Sequence, residues 1–180
     1  MSENRSTPRG LSVREMCVFS MLGALMFASK IIMELLPNIH LLGMFIVVFT
    51  AVYRVKALIP IYIFVVIEGI YSGFSLWWMP YLYVWTVLWG MAMLIRPTWH
   101  KGLLAVLYPV VCSLHGFLYG TIYAPAQALI YGFDFDQTVA WIISGIPFDV
   151  VHGISNLVAG LLILPLSTLL FKYEKRYIRN

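Results

Sequence analysis

Charged residues are scarce in this sequence. Asp, Glu, Lys and Arg together make up 11% of its 180 residues, whereas hydrophobic residues make up 61%. Soluble globular domains are about 25% charged, so this composition excludes that class. The few charges are also clustered, and they leave apolar stretches of about 15 to 25 residues, the length that a helix needs to cross a bilayer. We therefore predict an all-α membrane protein.

Cysteine is nearly absent as well, with only Cys17 and Cys112 in the chain. The two lie at different depths in different apolar runs, which excludes a disulfide between them. No C-x-x-C or H-x-x-x-H spacing indicates a metal site, and we expect neither a metal nor a cofactor. The net charge of +4 comes from basic residues at the ends of apolar runs, so it indicates no nucleic-acid partner.

Proline, charge and polar clusters divide the rest of the chain into six apolar runs. The runs cover 16–36, 39–53, 57–74, 76–95, 102–123 and about 139–171. Because the last run is too long for one simple span, we expect its helix to begin near Pro147, capped by Ser144 or Gly145. An earlier start would instead leave the carbonyl of Ile143 without its helical partner, since proline has no N–H.

Lys and Arg follow the positive-inside pattern. Eleven of the twelve lie in residues 5–14, 54–56, 96–101 and 172–179, which share one side if six helices cross alternately. The opposite loops, "PNIH", "SGFSLWWMP" and "YGFDFDQ", contain neither residue. The rule makes the basic side cytoplasmic. We thus predict a cytoplasmic tail over 1–15, six transmembrane helices within 16–171, and a basic cytoplasmic tail over 172–180.

A few ionisable residues interrupt the apolar runs. They are Lys30, Glu34, Glu68, Asp149 and His152. A charge at such depth costs a few kcal/mol, so each is expected to face a partner or a water-filled cavity.

The last run also carries a polar stripe. Asp149, His152 and Asn156 follow i, i+3, i+7 spacing, which places them on one helical face directed into the bundle. A helix that begins at Pro147 would also put Asp149 in its first turn, where the helix dipole favours a carboxylate. For Asn156, and for His115 in the fifth run, we favour a structural role.

Two interpretations of these polar residues stay open. As structural glue, Lys30 would pair with Glu34, and Asp149 with His152. As a ligand pocket, the polar residues would converge with outer aromatic residues; those residues are Trp77, Trp78, Tyr81, Trp85, Tyr119 and Tyr123. Carboxylates outnumber the single lysine there, with Asp134 and Asp136 in the loop above. The pocket would therefore favour a cation or a large neutral molecule.

Small residues form a strip along the first run. Ser20, Ala24 and Ala28 are spaced four apart in "SMLGALMFA", which lets a second helix approach closely. The strip packs either inside the bundle or, if it is exposed, against a membrane partner. The chain has no G-x-x-x-x-G-K-[ST] loop, so any ATP-driven work would come from such a partner.

The six-run layout, the A-x-x-x-A strip at Ala24 and Ala28, and the segment "SGIPFDVVHGISN" together resemble the substrate-binding S-component of energy-coupling factor (ECF) vitamin transporters. The resemblance implies a protein of the bacterial cell membrane that binds a vitamin at its outer face. It also implies partners, namely a transmembrane coupling subunit that contacts the strip and two cytoplasmic ATPases that supply energy. The chain looks most like the cobalamin-specific branch, and a queuosine precursor is the second candidate substrate.

Two other classes remain as alternatives. A stand-alone secondary carrier would couple transport to protons through Glu68 or Asp149. An intramembrane enzyme would use Ser155, which is three residues from His152 and within its reach, although no G-x-S-x-G motif surrounds it. We expect a transporter subunit rather than an enzyme.

Overall fold

A computed structural model describes residues 10–36 and 39–177. Within these residues the chain forms eight α-helices, one short 3-10 helix at Arg54–Ala57 and no strand. The α-helices are α1 (Val13–Met33), α2 (Leu42–Tyr53), α3 (Leu58–Ser72), α4 (Tyr81–Met93), α5 (Lys101–Phe117), α6 (Tyr119–Tyr131), α7 (Phe135–Gly160) and α8 (Ile163–Tyr177). The predicted all-α class is confirmed.

Four helical segments are long and apolar enough to span a membrane. They are Val13–Met33, Leu42–Ser72, Lys101–Tyr131 and Phe135–Gly160, while Tyr81–Met93 is apolar but shorter. These lengths and compositions indicate a membrane protein, as the sequence predicts. Cys17 and Cys112 are both free thiols, in agreement with the expected absence of a disulfide.

Capping boxes define where two of the helices begin. Ser12 and Glu15 exchange side-chain and backbone hydrogen bonds at the start of α1, which satisfies two N–H groups that no helical carbonyl can reach. The helix therefore starts at Val13, slightly before the predicted apolar run. Asp134 and Gln137 form the same motif at the start of α7.

The expected helix start near Pro147 is wrong. The cap at Asp134 begins α7 at Phe135, and the helix continues through Pro147 to Gly160. Asp149 therefore lies well inside α7, where the N-terminal dipole no longer acts on it. The alternative holds instead, in which Pro147 cannot donate to the carbonyl of Ile143.

Two more helices extend beyond the predicted runs. The fifth run is interrupted at Leu118, whose φ of −97° and ψ of 2° separate α5 from α6, and α6 then continues to Tyr131. At the other end of the chain, residues 172–177 belong to α8. The basic residues of this segment thus lie on a helix.

Helix α2 lies in the centre of the bundle and runs antiparallel to α1. Phe19 packs edge-on against Tyr53 with ring centroids 5.0 Å apart, while Leu25 and Phe45 line one groove further along. Apart from Phe45, every residue of α2 is buried. Burial on all sides explains why its sequence is uniformly apolar rather than amphipathic.

Helix α3 runs parallel to α1, so the chain reverses between α2 and α3. Lys56, just before α3, pairs with Glu15 near the start of α1, and Glu68 pairs with Lys30 near its end. The reversal occurs at Arg54, whose φ of 54° and ψ of −119° are rare for a residue with a side chain. The long apolar segment Leu42–Ser72 is therefore bent back on itself.

The same end of the bundle gathers several basic residues. Arg54 donates to the carbonyls of Met93 and Ile95 at 2.6 and 2.9 Å, and Arg14 donates to that of Tyr177 at 3.4 Å. These contacts join the start of α1, the α2–α3 reversal and the ends of α4 and α8. We call this the basic end, and the opposite end of the bundle the aromatic end.

Candidate functional site

An aromatic cluster fills the aromatic end of the bundle. It contains five of the six aromatic residues predicted for the pocket, together with two histidines. Its members are His40, Trp77, Tyr81, Trp85, Tyr119, Tyr123 and His152. The loops before α2 and α4 and the helices α4, α6 and α7 thus converge on one site.

Trp85 is the centre of this aromatic cluster. It is 1% exposed, and its ring lies 5.4 Å from that of Tyr81, 5.9 Å from Tyr119 and 6.1 Å from His40, centroid to centroid. His152 closes the ring of contacts, at 5.0 Å from Tyr119 and 5.3 Å from His40. Tilted and edge-on contacts of this kind are the favoured aromatic geometries.

Three nitrogen atoms in this cluster are buried without a hydrogen bond. Trp85 Nε1, His40 Nδ1 and His152 Nδ1 have no partner among the residues that the structure describes. Burying an unpaired polar group costs about 1–3 kcal/mol. The cluster therefore presents hydrogen-bonding nitrogens that the described part of the chain leaves unpaired, in a site otherwise made of aromatic surface.

Asp149 has a structural partner next to the cluster. Its two carboxylate oxygens accept from the backbone N–H of Gly120 at 2.9 and 3.1 Å, and its side chain is buried. Gly120 lies in the first turn of α6, where N–H groups have no helical acceptor. The imidazole Nδ1 of His152 is 3.9 Å from Asp149, too far for a hydrogen bond. Asp149 thus caps α6 from across the bundle.

A separate ionic group lies near the aromatic cluster. Lys30 is 3.0 Å from both Glu34 and Glu68, and Ser72 donates to Glu68 at 2.9 Å. Glu68 is fully buried and one of its oxygens, Oε2, lacks a partner among the described residues, whereas the Glu34 side chain is 52% exposed.

The expected convergence of all the carboxylates on Lys30 is therefore only partial. Glu34 and Glu68 reach the lysine, but Asp149 is bound to Gly120 instead. In the loop above, Asp134 is engaged as the cap of α7. The carboxylate excess that the sequence suggested for one pocket is divided among three places.

One aromatic residue predicted for the pocket, Trp78, lies outside the cluster, whereas His115 packs against it. Trp78 donates its Nε1 proton to the carbonyl of Val65 at 2.8 Å and packs edge-on against Phe74. His115 contacts the carbonyl of Val84 through Nε2 at 3.1 Å, with its ring against Trp85. For His115 this contact agrees with the favoured structural role.

One residue of the polar stripe on α7, Asn156, serves the packing of α5 against α7. Asn156 donates to the carbonyl of Cys112 at 3.3 Å, and Ser113 donates to that of Gly153 at 2.9 Å. Ser155 donates to the backbone carbonyl of His152 rather than to its ring. A serine nucleophile would need a hydrogen bond to the imidazole, but the Ser155 hydroxyl instead bonds to a backbone carbonyl of its own helix.

The small-residue strip on α1 faces outward. Ser20, Ala24 and Ala28 are exposed, whereas the position of Gly23, directly before Ala24, meets Ile63 and Pro60 of α3. The sequence left open whether the strip is packed inside the bundle or exposed, and in the structure it is exposed. A row of small exposed side chains therefore runs along this helix.

His40 and Trp141 are site residues that the sequence pattern did not single out. His40 joins the centre of the cluster, and Trp141 stacks on Tyr123 at 6.0 Å. A histidine in a short outer loop without Lys or Arg was the available signal for His40. Trp141 lies in an apolar run, where nothing distinguishes it from a lipid-facing residue.

The described residues contain no group of three or more His, Cys, Asp or Glu side chains placed to hold a metal ion. The chemistry available at the aromatic end is therefore that of aromatic surface, unpaired ring nitrogens and a buried ion pair. The chain matches no protein-family model, no curated protein and no solved structure.

Proposed function

We propose that this chain is the substrate-binding S-component of an ECF vitamin importer in a bacterial cell membrane. The observation that carries the proposal is the buried aromatic cluster with three unpaired ring nitrogens, on Trp85, His40 and His152. Aromatic walls with a few convergent polar groups are typical of small-molecule sites. A bound ligand would supply the missing hydrogen bonds.

The cluster favours a large, mostly uncharged ligand with hydrogen-bonding groups. The nearby Lys30 is already matched by Glu34 and Glu68, so no free cation is left there for a strongly anionic ligand. Cobalamin, which is bulky and rich in amides, is our first candidate. A cationic queuosine precursor is the second, with the unpaired oxygen of Glu68 as its counter-charge.

The proposed energy source is a set of partner proteins. The exposed strip of Ser20, Ala24 and Ala28 supports docking of a transmembrane coupling subunit, because small residues allow close helix packing in lipid. Two cytoplasmic ATPases would drive that subunit. We further propose six crossings, with the α2–α3 reversal at Arg54 and both termini in the cytoplasm, as the distribution of Lys and Arg favours.

Binding by the purified chain tests the proposal. We expect tight binding of cobalamin in detergent, measured by calorimetry, and at least tenfold weaker binding for Trp85→Phe, which removes one unpaired N–H but keeps the aromatic ring. Trp99→Phe is the matched control, because Trp99 is exposed at the basic end. Equal affinities of the two variants would contradict the proposed site. Mass spectrometry of small molecules that co-purify with the chain would identify a different ligand.

Uptake by proteoliposomes separates the proposal from a proton-coupled carrier. An S-component transports only with its coupling subunit and ATPases, and Ala24→Phe with Ala28→Phe should abolish that transport while leaving binding intact. The control is Ile32→Phe, which enlarges another exposed side chain on α1. Transport by the chain alone under a proton gradient would favour the carrier, with Glu68 as the candidate proton site.

A further inference from the structure

A cavity lies at the basic end, away from the aromatic cluster. It encloses about 260 Å³ between α2, the turn before α5, and the helices α5 and α8. Its lining residues are Ala51, Val52, Pro97, Thr98, Lys101, Leu104, Tyr108, Leu164, Ser167, Thr168 and Phe171. The proposed function leaves this cavity without a role.

The cavity changes from polar to apolar with depth. Thr98 and Lys101 are exposed at its mouth, whereas Val52, Leu104 and Tyr108 are buried in its wall. Along α5 the seven steps from Lys101 to Tyr108 correspond to about 10 Å at 1.5 Å per residue. This length is similar to the distance between the headgroup of a lipid and the first part of its acyl chain.

The polar groups of the cavity favour an anion. The Lys101 ammonium and the hydroxyls of Thr98 and Tyr108 have no hydrogen bond within the described part of the chain, so all three can donate to a ligand. None of the described residues that line the cavity is acidic.

Other hydroxyls in the lining are already engaged. Ser167 and Thr168 both donate to the carbonyl of Leu164, at 3.0 and 2.8 Å. Donation to a phosphate therefore falls to the side of the cavity formed by α5 and its preceding turn. The side formed by α8 contributes apolar surface through Leu164 and Phe171.

We propose that this cavity binds one anionic phospholipid of the leaflet at the basic end. The phosphate would contact Lys101 and Thr98 at the mouth, and an acyl chain would lie along Leu104, Tyr108 and Leu164. Basic pockets between membrane helices on the cytoplasmic side are typical sites for anionic headgroups. This site is independent of the vitamin pocket and of the small-residue strip.

Native mass spectrometry of the full chain in neutral detergent tests this proposal. Phosphatidylglycerol and phosphatidylcholine with identical acyl chains are titrated separately, and we expect about tenfold tighter retention of phosphatidylglycerol. Lys101→Gln should remove that preference, since one phosphate-bound cation is lost. Lys175→Gln is the matched control, because it removes an exposed cation of α8 outside the cavity. Thr168→Trp, which narrows the mouth without changing charge, should weaken retention of phosphatidylglycerol as well.

Three outcomes would overturn the proposal. Equal retention of the two lipids would show that the cavity does not recognise the charge of the headgroup. An equal effect of Lys175→Gln and Lys101→Gln would mean that diffuse surface charge attracts the lipid. Displacement of phosphatidylglycerol by an equal concentration of glycerol phosphate would assign the cavity to a soluble phosphate compound instead.

Discussion

The carboxylate of Asp149 replaces a hydrogen bond that the break between α5 and α6 removes. Leu118 leaves helical geometry, so the N–H of Gly120 in the next turn has no carbonyl four residues earlier in the same helix. Asp149 reaches it from α7 with both oxygens within 3.1 Å. Hydrogen bonds to charged groups contribute more than neutral ones, about 1.5–3 kcal/mol.

At the residue scale, we therefore predict that Asp149→Ala lowers the thermal stability of the purified chain by about 2 kcal/mol, because the Gly120 N–H stays buried without an acceptor. Asp149→Asn should lose less, since its amide oxygen still accepts. Melting temperatures in one detergent measure both effects.

Asp136→Ala serves as the control for this prediction, because Asp136 is an exposed carboxylate in the first turn of α7. Equal melting temperatures for Asp149→Ala and Asp136→Ala would mean that the Gly120 contact contributes nothing. A loss of ligand affinity in Asp149→Ala without any loss of stability would instead assign Asp149 to ligand binding, which is one of the two interpretations of the sequence.

The ionic group shows how far residue spacing can predict a site. Lys30 and Glu34 are four residues apart, and helical geometry alone predicts their pairing, which the structure contains at 3.0 Å. Glu68 is 38 positions from Lys30 in the sequence, on a helix that runs parallel to α1. No local pattern specifies that second contact, although the rarity of a carboxylate in an apolar run marked Glu68 as a site residue.

At the scale of elements, glycines allow α5 and α7 to cross closely. A Cβ on Gly116 would lie 2.7 Å from the carbonyl oxygen of His152 and 2.8 Å from the nitrogen of Gly153, both backbone atoms. A Cβ on Gly160 would lie 2.6 Å from the Cα of Pro109. Close backbone approach through small residues is the common way in which helices pack in lipid. This crossing also positions Asp149 beside Gly120.

We predict that Gly116→Ala destabilises the chain by about 1–3 kcal/mol, because backbone atoms must separate to admit the methyl group. The matched control is Gly145→Ala on α7, where a Cβ would meet nothing within 4 Å. Alanine there should be neutral or stabilise the helix by up to about 1 kcal/mol. Thermal melting of the two variants in the same detergent distinguishes them. If α5 and α7 did not cross closely, both substitutions would change the melting temperature in the same direction.

At the scale of the whole molecule, the number of membrane crossings depends on Arg54. Length and hydropathy alone allow Leu42–Ser72 to cross once, as part of four spans. The pairs Glu15–Lys56 and Lys30–Glu68 instead place the two ends of α3 beside the two ends of α1. For a chain with both termini in the cytoplasm, a reversal at Arg54 would put Ser75 outside the cell, whereas a single crossing would put it in the cytoplasm.

Labelling with a membrane-impermeant maleimide measures this difference. In a Cys17→Ser background, in which the remaining Cys112 is buried, we predict that Ser75→Cys is labelled in intact cells and Thr98→Cys only after permeabilisation. Gln137→Cys is the positive control, because both arrangements place it outside. Protection of Ser75→Cys in intact cells would rule out six crossings with the termini in the cytoplasm.

The sequence by itself determined the class of this protein, its helical content and the Lys30–Glu34 pair, because hydropathy and helical spacing are properties of a single segment. It also marked Asp149, Trp85 and Glu68 as unusual. Only the tertiary structure decided that Asp149 binds Gly120, that His40 joins Trp85, and that the strip on α1 faces outward. The physical reason is that each of these features depends on which helices become neighbours, and helical periodicity identifies a buried face without identifying what packs against it.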